Sequence, residues 1–291
     1  MNELSNLKEY IREIPLESAE YPCEWATLAS APKILYAVGN ISLLQTRKFT
    51  VVGSRRTTAA ALKVSAEICR ELGERFTLVT GTADGGDSAA IEGALQSTGR
   101  VICVLAGGFS SLPQGNLPLL KEVAKRGLLL SPHPYATPAR SFSYEYRNEL
   151  LAVLGEGTLV LGAGEKSGAL ITAKYAKALE KPVFALPYPP NSFAGAGCNA
   201  LIKAGAYLTE SAADVFEKTG DMGMEKTTLK TPKLSADEET LLQILRELGE
   251  GHITELSTRS GVPTFKALAT LSALCVKGVA VALGGNRFSS V

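Results

Sequence analysis

The 291-residue chain reads as an α/β protein: a parallel β-sheet with helices on both faces, plus a small C-terminal winged-helix-like domain. Three observations predict this. Short apolar runs alternate with helical stretches from Phe49 to Leu186, the pattern of strands buried on both faces. Nearly every run ends in Gly, Ser, Thr or Pro, as expected where strands open into loops on a ligand-facing rim. A polar stretch, Gly220 to Lys233, then separates this region from a second unit with its own helical periodicity.

Residues 1–45 are expected to form an N-terminal extension. Asn6 to Ile14 could form a short helix, and Pro15, Pro22 and Pro32 keep the chain irregular. Ile34-Leu35-Tyr36 is a possible edge strand, and Trp25 a packing anchor. The central domain spans residues 46–219. Its expected strands are Phe49–Val52, Phe76–Val79, Val101–Leu105, Leu128–Leu130, Thr158–Leu161 and Val183–Leu186, with a last one near Tyr207. Helices are expected over Thr57–Leu72, Asp87–Gln96, Leu117–Lys125, Tyr144–Leu154, Ala169–Leu179 and Cys198–Lys203.

Residues 220–233 read as a linker and 234–291 as the second domain. Ser235 with Glu238 has capping-box spacing, and Leu241, Leu242, Ile244, Leu245 and Leu248 follow helical periodicity. Ile253–Arg259 makes a second helix. Pro263 opens a third, with Leu268, Leu271, Leu274 and Cys275 inward and Gly278 at its end, and a hairpin follows. Three helices and a hairpin are the winged-helix pattern.

Composition narrows the function. A formal charge of +1 leaves no bulk electrostatic case for nucleic acid, so such binding must come from a local patch. The five cysteines are scattered, with no CxxC pair, and read as apolar fillers in a reducing compartment. The N-terminus lacks an apolar signal region, and no apolar stretch has the length of a membrane span. A cytoplasmic location is expected, with no metal site and no cofactor.

The chemistry concentrates on three strand ends. The loop Gly53-Ser54-Arg55-Arg56 combines a glycine, hydroxyls extended by Thr57 and Thr58, and two guanidiniums suited to phosphate. It matches neither GxGxxG nor the GxxxxGKS/T loop, so no dinucleotide or nucleoside triphosphate is indicated. Around Gly85, Asp87 is placed to cap the next helix and shape a second wall, although it could serve the turn alone. Lys166-Ser167-Gly168 forms a third such turn, again at a helix start. Arg140 lies just before another helix at the same rim, and Arg147 and Asn148 lie within it. His133, between two prolines, could touch a ligand. No nucleophile–base pair, GxSxG elbow or HExxH is present, so an enzyme is the less economical reading.

These residues, in order and spacing over about 21–216, resemble the DprA (Smf) family of DNA-processing proteins. The matching motifs are Gly53-Ser54-Arg55, Gly81-x-Ala83-x-Gly85-x-Asp87, Arg147-Asn148, Ser167-Gly168-x-Leu170-Ile171-Thr172-Ala173 and Asn199-x-Leu201-Ile202. The resemblance implies an extended Rossmann-like fold and a non-enzymatic homodimer. Such a protein would bind and protect single-stranded DNA during uptake and recombination and help load a RecA-type recombinase. Carried over, Gly53, Ser54 and Arg55 would hold DNA phosphate, Gly85, Ser167 and Gly168 would complete the pocket, and Arg140 lies close to a basic DNA contact. The chain departs from the family pattern at Gly86, Ile91, Leu112, Pro132, Glu149 and Tyr188, substitutions expected on the rim and not in the core. A nucleotide-binding or nucleotide-hydrolysing Rossmann-like protein is the alternative. The neutral C-terminal unit is expected to contact protein and not duplex DNA.

Overall fold

The computed structural model describes residues 7–220, 234–277 and 279–290, which fall into two compact units. Beyond Gly220, the expected linker lies outside the described residues, as does Gly278.

After a 3-10 turn at Leu7–Tyr10, the first unit opens with β1 (Arg12–Pro15), α1 (Cys23–Ala26) and β2 (Ile34–Gly39). Next come β3 (Lys48–Gly53), α2 (Ala59–Leu72), β4 (Thr77–Thr80), α3 (Gly86–Gln96), β5 (Val101–Val104), α4 (Leu117–Arg126) and β6 (Leu128–Ser131). The rest is α5 (Ser141–Leu154), β7 (Thr158–Gly162), α6 (Ala169–Ala178), β8 (Val183–Ala185), α7 (Ala196–Lys203), β9 (Tyr207–Leu208) and α8 (Ala212–Lys218). The sheet has nine strands in the order β1-β2-β6-β5-β4-β3-β7-β8-β9.

Every pair from β6 to β9 is parallel, but β2 runs antiparallel to β6 and β1 antiparallel to β2. Two expectations are corrected here. The first 45 residues are not irregular apart from one edge strand: they supply two strands, and the one over Ile34–Gly39 is interior. Ile14, expected at a helix end, is a fully buried strand residue. Its partner Leu35 is equally buried, and that distant pairing outweighs the local helical pattern.

Adjacent strand residues divide between two cores. Val51, Leu78, Leu159 and Leu161 pack on one face, with Ile68, Leu72 and Ile91 of α2 and α3. Val52, Val79 and Val160 pack on the other, with Leu150 and Leu154 of α5. This period-2 alternation places helices on both sides of the sheet. Trp25 locks the N-terminal segment to the second face. It is fully buried and its Nε1 donates to the Leu150 carbonyl at 2.8 Å.

The second unit contains α9 (Ala236–Leu248), β10 (Glu250–His252), α10 (Ile253–Ser260), α11 (Thr264–Val276), β11 (Ala280–Gly284) and β12 (Arg287–Ser290). Its strands lie in the order β10-β12-β11. Ser235 and Glu238 form the capping box, with Ser235 N–H donating to Glu238 Oε2 at 2.7 Å. Leu271 and Leu274 point inward, whereas Leu268 is 43% exposed, contrary to expectation.

Candidate functional site

The strand order reverses beside β3, whose two neighbours are β4 and β7. At such a switch point the loops leaving adjacent strands diverge to opposite faces and leave a crevice. A cavity of about 1220 Å³ lies there. Its lining includes Gly53, Ser54, Arg55 and Arg56 after β3, Ala83 and Asp87 after β4, and Lys166, Ser167 and Gly168 after β7. The three strand ends therefore converge. Five basic residues line the cavity (Arg55, Arg56, Arg147, Lys166, Lys203) against two acidic ones (Asp87, Glu165).

The β3 loop is held by its backbone. Ser54 N–H donates to the Gly162 carbonyl at 2.7 Å, and the Ser54 carbonyl accepts from Gly86 N–H at 3.1 Å and from Thr57 Oγ1 at 2.9 Å. Arg55 and Arg56 are left exposed, without an ion-pair partner among the described residues. Thr57 and Thr58, expected as extra donors, do not line the cavity. Thr57 serves the loop and Thr58 accepts from Ala61 N–H as the cap of α2. No residue of α2 lines the cavity; the helix N-termini that reach it are those of α6 at Ala169, α3 at Asp87 and α7 at Ala196.

Asp87 does not cap α3, which starts at Gly86 with Gly85 before it. Its buried carboxylate accepts from Gly53 N–H at 3.3 Å and from Ala83 N–H at 3.2 Å, tying two loops together. Burial pushes its carboxyl up, while the Arg147 guanidinium and the two backbone donors oppose that rise. Gly85 is not in the lining. Its φ of +82° and its packing on Ser54 and Arg55 let the two loops cross.

Arg147 lines the cavity but is only 6% exposed. Its Nη1 donates to the Val104 carbonyl at 3.2 Å and its Nε to Asn148 Oδ1 at 3.1 Å. Burial works against its charge and Asp87 favours it. Asn148 in turn donates to the Gly168 carbonyl at 3.1 Å, fixing the α6 turn. Both residues thus brace the cavity from beneath. Arg140, exposed at the start of α5, does not line it, and neither does His133. His133 packs near Tyr146, and its Nε2 is buried without a hydrogen-bond partner among the described residues.

Sequence reasoning gave no site role to the wall beyond β8, although Asn199 stands in one of the matching motifs. Asn191, Phe193, Asn199 and Lys203 all line the cavity, as do Tyr144 and Thr172. Asn199 closes the turn before it, accepting from Tyr188 N–H at 3.0 Å and donating to the Tyr188 carbonyl at 2.9 Å. Thr172 is fully buried and its Oγ1 has no partner among the described residues. The signal was available: the rule that located the other three loops applies equally to the residues after Ala185.

Three of the six departures from the family pattern, expected on the rim, fall away from it. Ile91 and Leu112 are buried in the main core, and Glu149 lies outside the cavity lining near Tyr146 and Tyr175.

The fold and its cationic switch-point cavity define a Rossmann-like α/β protein. The chain belongs to the DprA/Smf family: the family described as "DNA recombination-mediator protein A" matches residues 12–220. The DNA processing protein DprA of Bacillus subtilis is 36% identical over 226 residues, covering 75% of this chain and 74% of that protein. A putative DprA of Mycobacterium tuberculosis is 34% identical over 265 residues, covering 88% and 68%. The DprA structure from Streptococcus pneumoniae superposes with a TM-score of 0.68 at 30% identity, over 75% of this chain and 78% of that one. A Helicobacter pylori DprA structure, described for its single-stranded DNA binding mode, gives 0.66 at 28% identity, over 73% and 97%.

Proposed function

We propose that this protein binds single-stranded DNA through the switch-point cavity and protects the strand during DNA uptake and recombination. The observation that carries this reading is the gathering of Arg55, Arg56, Lys166 and Lys203 around the α6 N-terminus, none of them in an ion pair with a described carboxylate. Such groups attract a phosphate backbone without reading sequence. The cavity, about 1220 Å³, exceeds the roughly 300–1,000 Å³ usual for small-molecule pockets, which suits a polymer segment. The single-stranded DNA described for the Helicobacter pylori relative supports the choice of polymer.

The binding role is non-enzymatic. Asp87 is occupied by two backbone donors and Glu165 is exposed, so neither is set beside a partner as a general base. Family membership supports a homodimer that hands its strand to a RecA-type recombinase. The C-terminal unit we read as a winged helix for protein contact, because the lysine of its third helix and the lysine at that helix's C-terminal cap are engaged: Lys266 pairs with Asp237 at 2.5 Å and Lys277 with Glu238 at 2.7 Å. Among the described residues no helix is long and apolar enough to cross a membrane.

Gel-shift titration with an oligo-dT strand at low salt tests the site. Binding by the wild type that Arg55→Ala weakens is expected. Tight binding indifferent to that substitution would sink the assignment. Retention of strand binding after deletion of residues 232–291 is expected, and loss of a duplex affinity on that deletion would contradict the role given to the C-terminal unit.

A further inference from the structure

The cavity has one wall whose chemistry is not that of a phosphate site. Phe193 lies on the loop between β8 and α7, lines the cavity and is 70% exposed. A lone exposed apolar side chain is ordinary. This one is held in place. Its loop is closed at one end by the two Asn199–Tyr188 hydrogen bonds and by Tyr188 Oη donating to the Leu161 carbonyl at 2.6 Å. Tight turns follow, with Ser192 N–H on the Pro189 carbonyl and Gly195 N–H on the Ser192 carbonyl, both at 3.2 Å.

Phe193 is also close to the cationic wall. The Arg56 guanidinium stands 6.0 Å from the ring centroid. A Cβ on Gly164 would lie 3.9 Å from Phe193 Cε1 and 3.1 Å from its carbonyl oxygen. The absence of a side chain at Gly164 therefore lets the Phe193 loop approach the turn that carries Lys166 and Ser167. A broad apolar ring beside unpaired cations matches the repeating unit of a nucleic-acid strand, in which each phosphate is followed by a flat base.

We infer that Phe193 is a stacking platform for a nucleobase next to the phosphate held by Arg55, Arg56 and the α6 turn. This rests on the single-strand reading of the cavity and adds a base-dependent component to it. The Arg56 contact is at the outer limit of a cation–π interaction, so a bound phosphate can draw the guanidinium away while a base takes the ring. Because every base has a π-face, the platform adds affinity without reading sequence.

The test compares a labelled oligo-dT strand with an abasic phosphodeoxyribose strand of equal length, by fluorescence anisotropy on the full chain. Phe193→Ala is expected to weaken oligo-dT binding about tenfold, to leave abasic binding unchanged, and to be rescued by Phe193→Trp. Arg55→Ala is expected to weaken both strands. Phe193→Ala that leaves oligo-dT binding unchanged, or weakens both strands equally, overturns the stacking role while the phosphate site stands. A wild type that binds neither strand removes the reading on which the inference rests, and the inference with it.

Discussion

Gly53 and Gly86 pack backbone against backbone: a Cβ added to Gly53 would lie 2.7 Å from the Gly86 Cα. The loop that presents Ser54 and Arg55 thus rests directly on the first turn of α3. A Cβ on Gly86 would in turn lie 2.3 Å from the Gly53 Cα, so no side chain fits there at the present loop spacing. Gly86→Val should push the Ser54–Arg55 loop outward. A cost of about 1–3 kcal/mol in urea unfolding is expected, together with weaker oligo-dT binding.

Arg55 and Lys166 are exposed and form no ion pair with a described carboxylate. Alanine at either should change stability by no more than about 0.5 kcal/mol. Each should flatten the slope of log affinity against log salt by about 0.7, the value for one phosphate contact on a single strand. Titrations at several salt concentrations measure this directly, and an unchanged slope would remove that residue from the phosphate site.

Arg147 should behave in the opposite way. It is buried beside Asp87, and a Cβ at Gly81 would meet both side chains. Arg147→Ala would leave a buried carboxylate without its counter-charge, at a cost of roughly 3–5 kcal/mol. Loss of fold, read by circular dichroism, is expected to precede any specific loss of DNA binding. A stable Arg147→Ala protein with only a binding defect would return this residue to the list of direct contacts.

His133 is expected to set part of the acid limit of stability. Burial holds its pKa below the ordinary value near about 6.5, so the fold favours the neutral ring. Its contribution is present above the unfolded pKa and is lost as pH falls through the lower folded one. His133→Phe should therefore flatten the decline in melting temperature between pH 7 and pH 5. An identical decline in the variant would show that other groups set that limit.

Deletion of residues 1–45 should abolish folding. It would remove β1, β2 and Trp25 and leave β6 as an unprotected edge. Trp25→Ala alone should cost about 3–5 kcal/mol, measured by chemical denaturation. A stable truncated protein would show these residues to be a dispensable extension.

What the sequence by itself determined is local in origin. The parallel strands from β3 to β8, their helices and the Ser235–Glu238 cap are written in adjacent residues, because burial on both faces demands continuous apolar runs. The strand-end motifs also marked three of the four loops around the cavity. Tertiary structure decided whatever depended on residues far apart in the chain. Ile14 became a strand residue through Leu35, and Trp25 an anchor through Leu150. Arg55 and Arg147 sit in equally suggestive motifs, yet one is exposed at the cavity mouth and the other is buried on Val104 and Asn148. Asp87 looked like a helix cap and became the tie between Gly53 and Ala83. An arginine's charge is the same in every motif, whereas the choice between meeting a ligand and bracing a loop is made by the groups that fold around it.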